Sequence, residues 1–510
     1  MLSHAMSAAV DGIDGYPVIV EVDFRFGMPA FNIVGLPDAS VRESRERVIA
    51  AIKNSGYTFS PQRITVNLAP ADIKKEGPSF DLPIALGILV AAEILRPEFL
   101  ADRAFLGELG LNGDLRPVRG ILPCVLGLKE KGIKNLIVPR ANANEASFVK
   151  GMNVYPMGNL FETVRFLAAE VIPEPYQVDR TELFGKKPVY DIDFAEVRGQ
   201  AFAKRALEVA AAGNHNVLLF GPPGSGKTLL ARRLPTILPE MEFEEILETT
   251  KIHSVSGLIR DSEGLVASRP FRSPHHQTSA AALIGGGSTP RPGEVSLAHK
   301  GVLFLDEFPE FSRDVLESLR QPLEDRFIQV VRVSNVVRYP SDFLLVIAAN
   351  PCPCGYAGSQ IRTCSCTPAM IAKYRAKISG PLLDRIDLHV EVPALKAEEI
   401  TEEAKNSECS AEIRERVVKA RLIQKGRLSP KGISVNSQMA GRHLKHFCPL
   451  DLEGKNLIRQ AIRKLGLSAR AYDRILKVAR TIADLAGNEF INSRHLAEAI
   501  GFRAMDRNAR

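Results

Sequence analysis

The sequence has no tryptophan and only 6% aromatic residues, a shortage that separates no class of function. It also has no long apolar run. The longest, LPIALGILVAA from Leu82 to Ala92, contains a proline and falls well short of the roughly 20 residues that span a bilayer. It is expected to be a core helix, and no membrane partner is expected. The opening stretch, MLSHAMSAAVDG, has no basic segment followed by an apolar one. No secretory signal is read there, and a cytoplasmic location is expected. Seven cysteines in a cytoplasmic chain are not expected to form a disulfide framework. Cys124, Cys409 and Cys448 stand alone and read as buried thiols. No internal repeat or low-complexity tract is visible.

A chain of 510 residues exceeds a single core, so about two to four domains are expected. The net charge of +7 is unevenly spread. From Thr401 onward there are 22 Lys and Arg against 12 Asp and Glu, a balance of +10, which leaves −3 for the rest. Such a basic region can attract a phosphate backbone, or it can be a solvated helical surface.

Three regions separate. Residues 1–170 alternate short apolar runs with amphipathic segments. ITVNLAPAD reads as a strand and its exit, and VRESRERVIAAIKNSGY reads as a helix ended by a glycine. Residues 171–193 are polar and contain prolines, as a linker does. Residues 194–392 carry the nucleotide motifs. Residues 393–510 have helical periodicity, clearest in AEIRERVVKARLIQKGR and SARAYDRILKVARTIADLAG.

The strongest signal is NVLLFGPPGSGKTLLARRL. An apolar run suited to a buried parallel strand leads into Gly221, Pro222, Pro223, Gly224, Ser225, Gly226, Lys227 and Thr228, which fit G-x-x-x-x-G-K-[ST]. A helical pattern follows, the order that supports such a match. The glycines let backbone N–H groups turn toward phosphates. Lys227 is expected on the β- and γ-phosphates of ATP, and Thr228 on Mg²⁺. Further on, GVLFLDEF ends an apolar strand in Asp306 and Glu307. Asp306 at that tip can hold Mg²⁺, and Glu307 can act as general base toward the attacking water. The strand DFLLVIAANP ends in Asn350, which can orient that water or make an ordinary Asx turn before Pro351.

GPPGSGKT, GVLFLDE, AANP and SGPLLDRIDL together resemble the AAA+ module of magnesium-chelatase-type ATPases. RPFRSPHHQTS, GGGSTPRPGEVSLAHKGVLFLDEFPEF and NPCPCGY, with FNIVGLPDASVRESRERVIAAI and NLAPADIKKEGPSFDLPIAL earlier, resemble the YifB/ComM family of bacterial competence-related ATPases. The likeness runs through essentially the whole chain. It implies an α/β fold: an N-terminal Lon-protease-like α+β domain, a P-loop AAA+ α/β core and a C-terminal helical AAA+ lid.

The resemblance also implies roles. Asn350 matches sensor 1, Arg470 matches sensor 2, and Arg385 matches the arginine finger that completes a neighbour's site. A structural pair with Asp384 or Asp387 is the alternative for Arg385. A finger acting in trans requires an oligomer, and rings of this class are usually hexameric. The implied function is an ATP-driven ring motor on single-stranded or branched DNA, a branch-migration helicase in homologous recombination during natural transformation. A metal-chelatase motor subunit and an ATP-dependent Lon-like protease are the rival readings. The hairpin-like stretch Arg326 to Pro340 and the Gly- and Pro-rich stretch Phe271 to Lys300, with Arg272, His275, His276 and Lys300, could touch DNA. The two histidines could instead be surface or packing residues.

Cys352, Cys354, Cys364 and Cys366 read C-x-C-x9-C-x-C, an insert at 352–366. Four thiolates that close in sequence can form a tetrahedral, structural Zn²⁺ site, with reduced free thiols as the alternative. Ser79 falls where the Lon fold carries its nucleophile. A serine needs a base, but Leu122 stands where the partner lysine is expected, and Lys129 and Lys131 lie further along. The domain is therefore expected to lack peptidase activity.

Overall fold

The computed structural model describes residues 2–503, apart from 26, 61, 171–173, 178–189, 260–263, 288–289, 332–335, 359–361 and 396–407. Most of the expected linker and the turn of the expected hairpin lie outside the described residues.

A seven-stranded mixed sheet organises the N-terminal part. Its order is Ala30–Val34, Arg63–Ala69, Asp14–Arg25, Leu2–Asp11, Arg103–Phe105, Asn135–Pro139, Asn153–Met157. The first two strands of the chain form a long antiparallel hairpin, and the pairs from Leu2–Asp11 to Asn153–Met157 are parallel. The longest apolar run becomes the helix Asp81–Ala91, buried along its whole length. It has no polar face, which is why it sits inside the domain, against the hairpin strands.

The second sheet is parallel and five-stranded, in the order Phe271–Arg272, Val302–Leu305, Leu344–Ala349, Val217–Phe220, Leu388–Glu391. Its strands are nearly continuous apolar runs because both faces are covered. Val217, Leu219, Val302, Phe304, Leu344 and Val346 point into one core. Leu218, Leu303, Leu305, Leu345 and Ile347 point into the other. Each such side chain, once buried, contributes about 1.5–3 kcal/mol. The central strands are thus fixed firmly, and their polar C-terminal tips are held at one edge.

The C-terminal helices Ser410–Leu428, Leu452–Leu465, Ala469–Leu485 and Ser493–Gly501 do not enclose a separate core. Ile413, Val417, Ile475, Ile482 and Leu496 belong to the same buried cluster as Val217 and Val302. The bridge is the helix Ala201–Gly213, with small buried alanines that let the other helices approach closely.

The N-terminal domain packs on the helix Phe243–Val255. Glu145 accepts hydrogen bonds from Ser254 Oγ and from the Leu122 N–H at 2.9 Å. Gly120 N–H donates to Ser254 O at 3.2 Å. Ile13, Ile252, Val337 and Tyr339 form an apolar cluster on the same seam. Cys124 and Cys448 are buried as expected, whereas Cys409 is only half-buried. It caps the helix Ser410–Leu428, a position at the rim where a thiol keeps one side to solvent.

Candidate active site

The phosphate loop leaves the strand Val217–Phe220 and enters the helix Lys227–Ile237. Gly224 and Gly226 have φ of +75° and +91°, angles that a side chain would strain. Lys227 is 7% exposed. Its Nζ donates to Gly221 O at 2.7 Å, to Pro222 O at 2.8 Å and to Asn350 Oδ1 at 3.1 Å. Burial pushes this ammonium down to about 8, against the attraction of Asp306.

Thr228 Oγ1 donates to Asp306 Oδ2 at 2.7 Å, and Asp306 Oδ1 accepts from Glu307 N–H at 2.9 Å. Glu307 has φ of +50°, a left-handed conformation costing about 1–2 kcal/mol. Its carboxylate is 55% exposed and lies 3.4 Å from His276 Nδ1. The tips of three adjacent parallel strands therefore bring Lys227, Thr228, Asp306, Glu307 and Asn350 to one edge. That is the edge of an open parallel sheet where ligands bind.

Sequence reasoning missed two features. Gln200, itself at φ +56°, donates from Nε2 to Ser225 O at 3.3 Å and to Pro393 O at 2.7 Å. It ties the phosphate loop to the exit of the last strand, beside a cavity of about 170 Å³ lined by Gln200, Phe202, Glu391, Pro393 and Leu395. No motif marks that cavity, because its residues lie far apart in the chain. The second is the contact of His276 with Glu307. The order of the sheet explains it: Phe271–Arg272 pairs with Val302–Leu305, so the loops leaving both strands emerge side by side.

Arg385 is held by groups outside the phosphate loop. Its guanidinium pairs with Glu324 and donates to Pro381 O at 2.6 Å. Neither expected structural partner holds it. Asp387 is engaged by Arg474 and His215, and Asp384 lies 4.0 Å from Arg470. Arg272 and Lys300, read as residues that could touch DNA, are held in ion pairs within the chain. Arg272 makes two 2.6 Å bonds to Glu294, and Lys300 lies 2.9 Å from Asp342. The His275 and His276 rings lie tilted against each other by 34°, with centres 4.1 Å apart. The strands Phe327–Val331 and Val336–Pro340 pair antiparallel, and Arg338 lies 3.5 Å over the Phe327 ring.

The four clustered cysteine sulfurs all lie within 4.8 Å of one another. Cys352, Cys354 and Cys364 have sulfur separations of 3.4, 3.7 and 3.5 Å. The backbone N–H groups of Ala357 and Cys366 donate to the sulfurs of Cys352 and Cys364 at 3.3 and 3.4 Å. Gly355 turns at φ +85°, and a Cβ there would meet Pro223 at 2.5 Å. The cluster is thus packed directly against the phosphate loop.

Three family models match the chain: magnesium chelatase subunit ChlI over residues 193–400, subunit ChlI of Mg-chelatase over 20–142, and its C-terminal part over 407–503. The chain is 44% identical to Competence protein ComM of Haemophilus influenzae, over 99% of this chain and 98% of that protein. The chain belongs to the magnesium-chelatase-like AAA+ family of ComM and YifB. Uncharacterized protein YifB of Escherichia coli is 40% identical over 99% of this chain and 98% of its own length. A more limited similarity, 31% over 26% of this chain, links it to Lon protease 2 of Bacillus subtilis. Membership in this AAA+ family makes the module described above that of an ATP-dependent motor. Among the described residues, no helix is long and apolar enough to cross a membrane.

Leu122 is fully buried and gives its N–H to Glu145, so it is a core residue. Lys129 and Lys131 are exposed at the end of the helix Ile121–Glu130. Ser79 lies in the short turn Pro78–Phe80, where its carbonyl accepts from Gly107 N–H at 3.0 Å.

Proposed function

We propose that the chain is an ATP-hydrolysing ring motor that moves on DNA, and that it drives branch migration during homologous recombination in natural transformation. The observation that carries the ATPase half is the convergence of Lys227, Thr228, Asp306, Glu307 and Asn350 at one sheet edge. Lys227 binds the β- and γ-phosphates, Asn350 orients the attacking water, and Glu307 takes its proton. Thr228 and Asp306 offer two oxygens 2.7 Å apart, donors suited to a hard cation, and so would hold Mg²⁺. When bound, that ion supplies neutralising charge at the transferring phosphate. The cavity beside Gln200 and Phe202 would take the nucleoside. Arg385 serves the adjoining subunit, Arg470 acts from the lid as sensor 2, and the assembly is a homo-oligomeric, hexameric ring in the cytoplasm.

The DNA half rests on the likeness to ComM along the whole chain and on the basic lid. Lys455, Arg459, Arg463 and Lys464 are exposed on the helix Leu452–Leu465. They supply a surface for a phosphate backbone. The deciding assays are DNA-stimulated ATPase activity and movement of a three- or four-way junction. An ATPase rate and oligomeric state both indifferent to DNA would defeat this reading.

The N-terminal domain does not set the chain apart from chelatase motors, because the match over residues 20–142 itself carries a chelatase description. What favours DNA is the ComM likeness. The N-terminal domain is read as Lon-like and without peptidase activity, serving assembly or DNA binding.

The four cysteines are read as a structural zinc site. A Zn–S bond of about 2.3 Å makes the edges of a tetrahedron about 3.8 Å, close to the separations seen here. Zinc would cross-link the loop that follows Asn350.

A further inference from the structure

Two successive turns of the lid helix Ala469–Leu485 reach the segment that carries Arg385. Arg470 lies 4.0 Å from the Asp384 carboxylate. Arg474, one turn on and therefore on the same face, donates to the carbonyl of Arg385 at 3.1 Å and to the carboxylate of Asp387. From below, Asn216 Nδ2 donates to the same Arg385 carbonyl at 3.2 Å. The N–H groups of Asp387 and Leu388 donate to Asn216 O, both at 3.0 Å. His215 Nδ1 meets Asp387 at 3.2 Å, and its Nε2 meets Thr481 Oγ1, on the lid helix again, at 2.8 Å. Residues 384–387 are thus clamped between the lid helix and the residues that lead into the phosphate-loop strand.

The clamp is ionic. Burial alone would raise the Asp387 carboxyl, but the Arg474 guanidinium, His215 and Lys477 together outweigh it and hold the group well below the usual range. Asp387 is 4% exposed and Arg474 20%. A buried pair of this kind is weak support for stability, because apolar residues of the same size often do as well. What it supplies here is geometry. Arg474 holds the backbone of Arg385, while Glu324 and Pro381 O hold its guanidinium.

We propose that Arg474 is a positioning residue for Arg385, coupling the lid helix of one subunit to the arginine that completes the next subunit's phosphate site. The proposal rests on the in-trans reading of Arg385. The helix that carries Arg470 in one subunit then sets where that subunit's Arg385 stands. A shift of about 1 Å in a group of this kind costs on the order of 10²-fold in rate.

The test uses mixed full-length subunits. Arg474→Lys keeps a charge opposite Asp387 but shortens the reach to Arg385 O. Arg474→Met with Asp387→Asn removes the pair without stranding a buried charge, and so guards against a variant that merely fails to fold. Both should melt as cooperatively as wild type, bind a fluorescent non-hydrolysable ATP analogue with unchanged affinity, and turn over at least about tenfold more slowly. Mixed with Lys227→Ala subunits, which keep their Arg385, both should regain turnover, as an Arg385→Ala and Lys227→Ala mixture does. The proposal is overturned if turnover is normal in both variants, or if analogue affinity falls, which would place Arg474 at its own subunit's site. It also fails if neither variant regains turnover while the Arg385→Ala mixture does. If the Arg385→Ala mixture itself regains nothing, the in-trans reading falls first and takes this proposal with it.

Discussion

Thr228 Oγ1 and Asp306 Oδ2, 78 residues apart in the chain, meet at 2.7 Å. The bond joins the first turn of the phosphate-loop helix to the tip of a strand two places away in the sheet. Glu307, the next residue, turns its carboxylate the other way, toward His276. The two acidic residues therefore have separable tasks.

That separation predicts the behaviour of Glu307→Gln. The Thr228–Asp306 pair is untouched, so ATP and Mg²⁺ should still bind. Loss of the proton acceptor should slow hydrolysis by about 10²–10⁴-fold. Lys227→Ala should abolish nucleotide binding or hydrolysis. Equilibrium titration with a labelled nucleotide, alongside phosphate release, separates the two. A Glu307→Gln protein that hydrolyses ATP at the wild-type rate would remove it from the base role.

Lys227 makes a prediction in pH. Burial lowers its ammonium to about 8 from the ordinary 10.5. Below about 8 it is charged in the folded and unfolded chain alike. Between about 8 and 10.5 the unfolded chain binds more protons, so this group makes stability rise with pH across that window. Phosphate binding favours the charged form and has the opposite sense. ATP affinity should fall as pH rises past about 8, and binding near pH 8.5 should take up a proton. Calorimetry in buffers of different ionisation enthalpy measures that uptake. A binding enthalpy near pH 8.5 that does not change with the buffer would show that Lys227 takes up no proton.

The cysteine cluster predicts near-stoichiometric zinc in protein purified without chelator. Because Gly355 abuts Pro223 of the phosphate loop, replacing Cys352 and Cys364 by serine should lower ATP affinity as well as metal content. Wild-type protein without zinc would sink the first claim, and unchanged nucleotide binding in the double serine variant would sink the second.

The motifs readable in the sequence are those whose chemistry is contiguous. Gly221 to Thr228 needs its residues in a row, and Asp306, Glu307 and Asn350 each end an apolar strand. The fully buried helix Asp81–Ala91 was legible because the ten residues after Asp81 carry no polar side chain. What could not be read were relations set by the order of the sheet. Glu324 meets Arg385, His276 meets Glu307 and Gln200 bridges the loop, each from distant positions. Spacing suggested Asp384 or Asp387 for Arg385, but a neighbour in sequence need not be a neighbour along the fold. Arg272 and Lys300 looked like free cations only because their carboxylates lie 22 and 42 residues further on.

Ser79 should give no peptidase. A serine nucleophile needs a base within hydrogen-bond reach. Leu122 is core, and Lys129 and Lys131 are exposed at a helix end. Casein or peptide cleavage should be absent in wild type and unchanged in Ser79→Ala. ATP-dependent cleavage lost on that substitution would restore the protease reading.

Glu145 tests the seam between the N-terminal domain and the motor. Burial raises its carboxyl above the ordinary value, and the bonds from Ser254 Oγ and Leu122 N–H only partly offset this. With a raised folded value, the folded chain holds a proton that the unfolded chain releases once pH passes about 4.5. Stability is therefore full at low pH and falls as pH rises toward the folded value. Glu145→Gln keeps an acceptor for Leu122 N–H and removes the ionisation. It should flatten that fall and raise the melting midpoint more at pH 8 than at pH 5. Ser254→Ala should do the reverse, costing about 1–3 kcal/mol by leaving a buried carboxyl short of a donor. Thermal melts of both proteins across pH measure this. Parallel curves for wild type and Glu145→Gln would show that Glu145 does not titrate in that range.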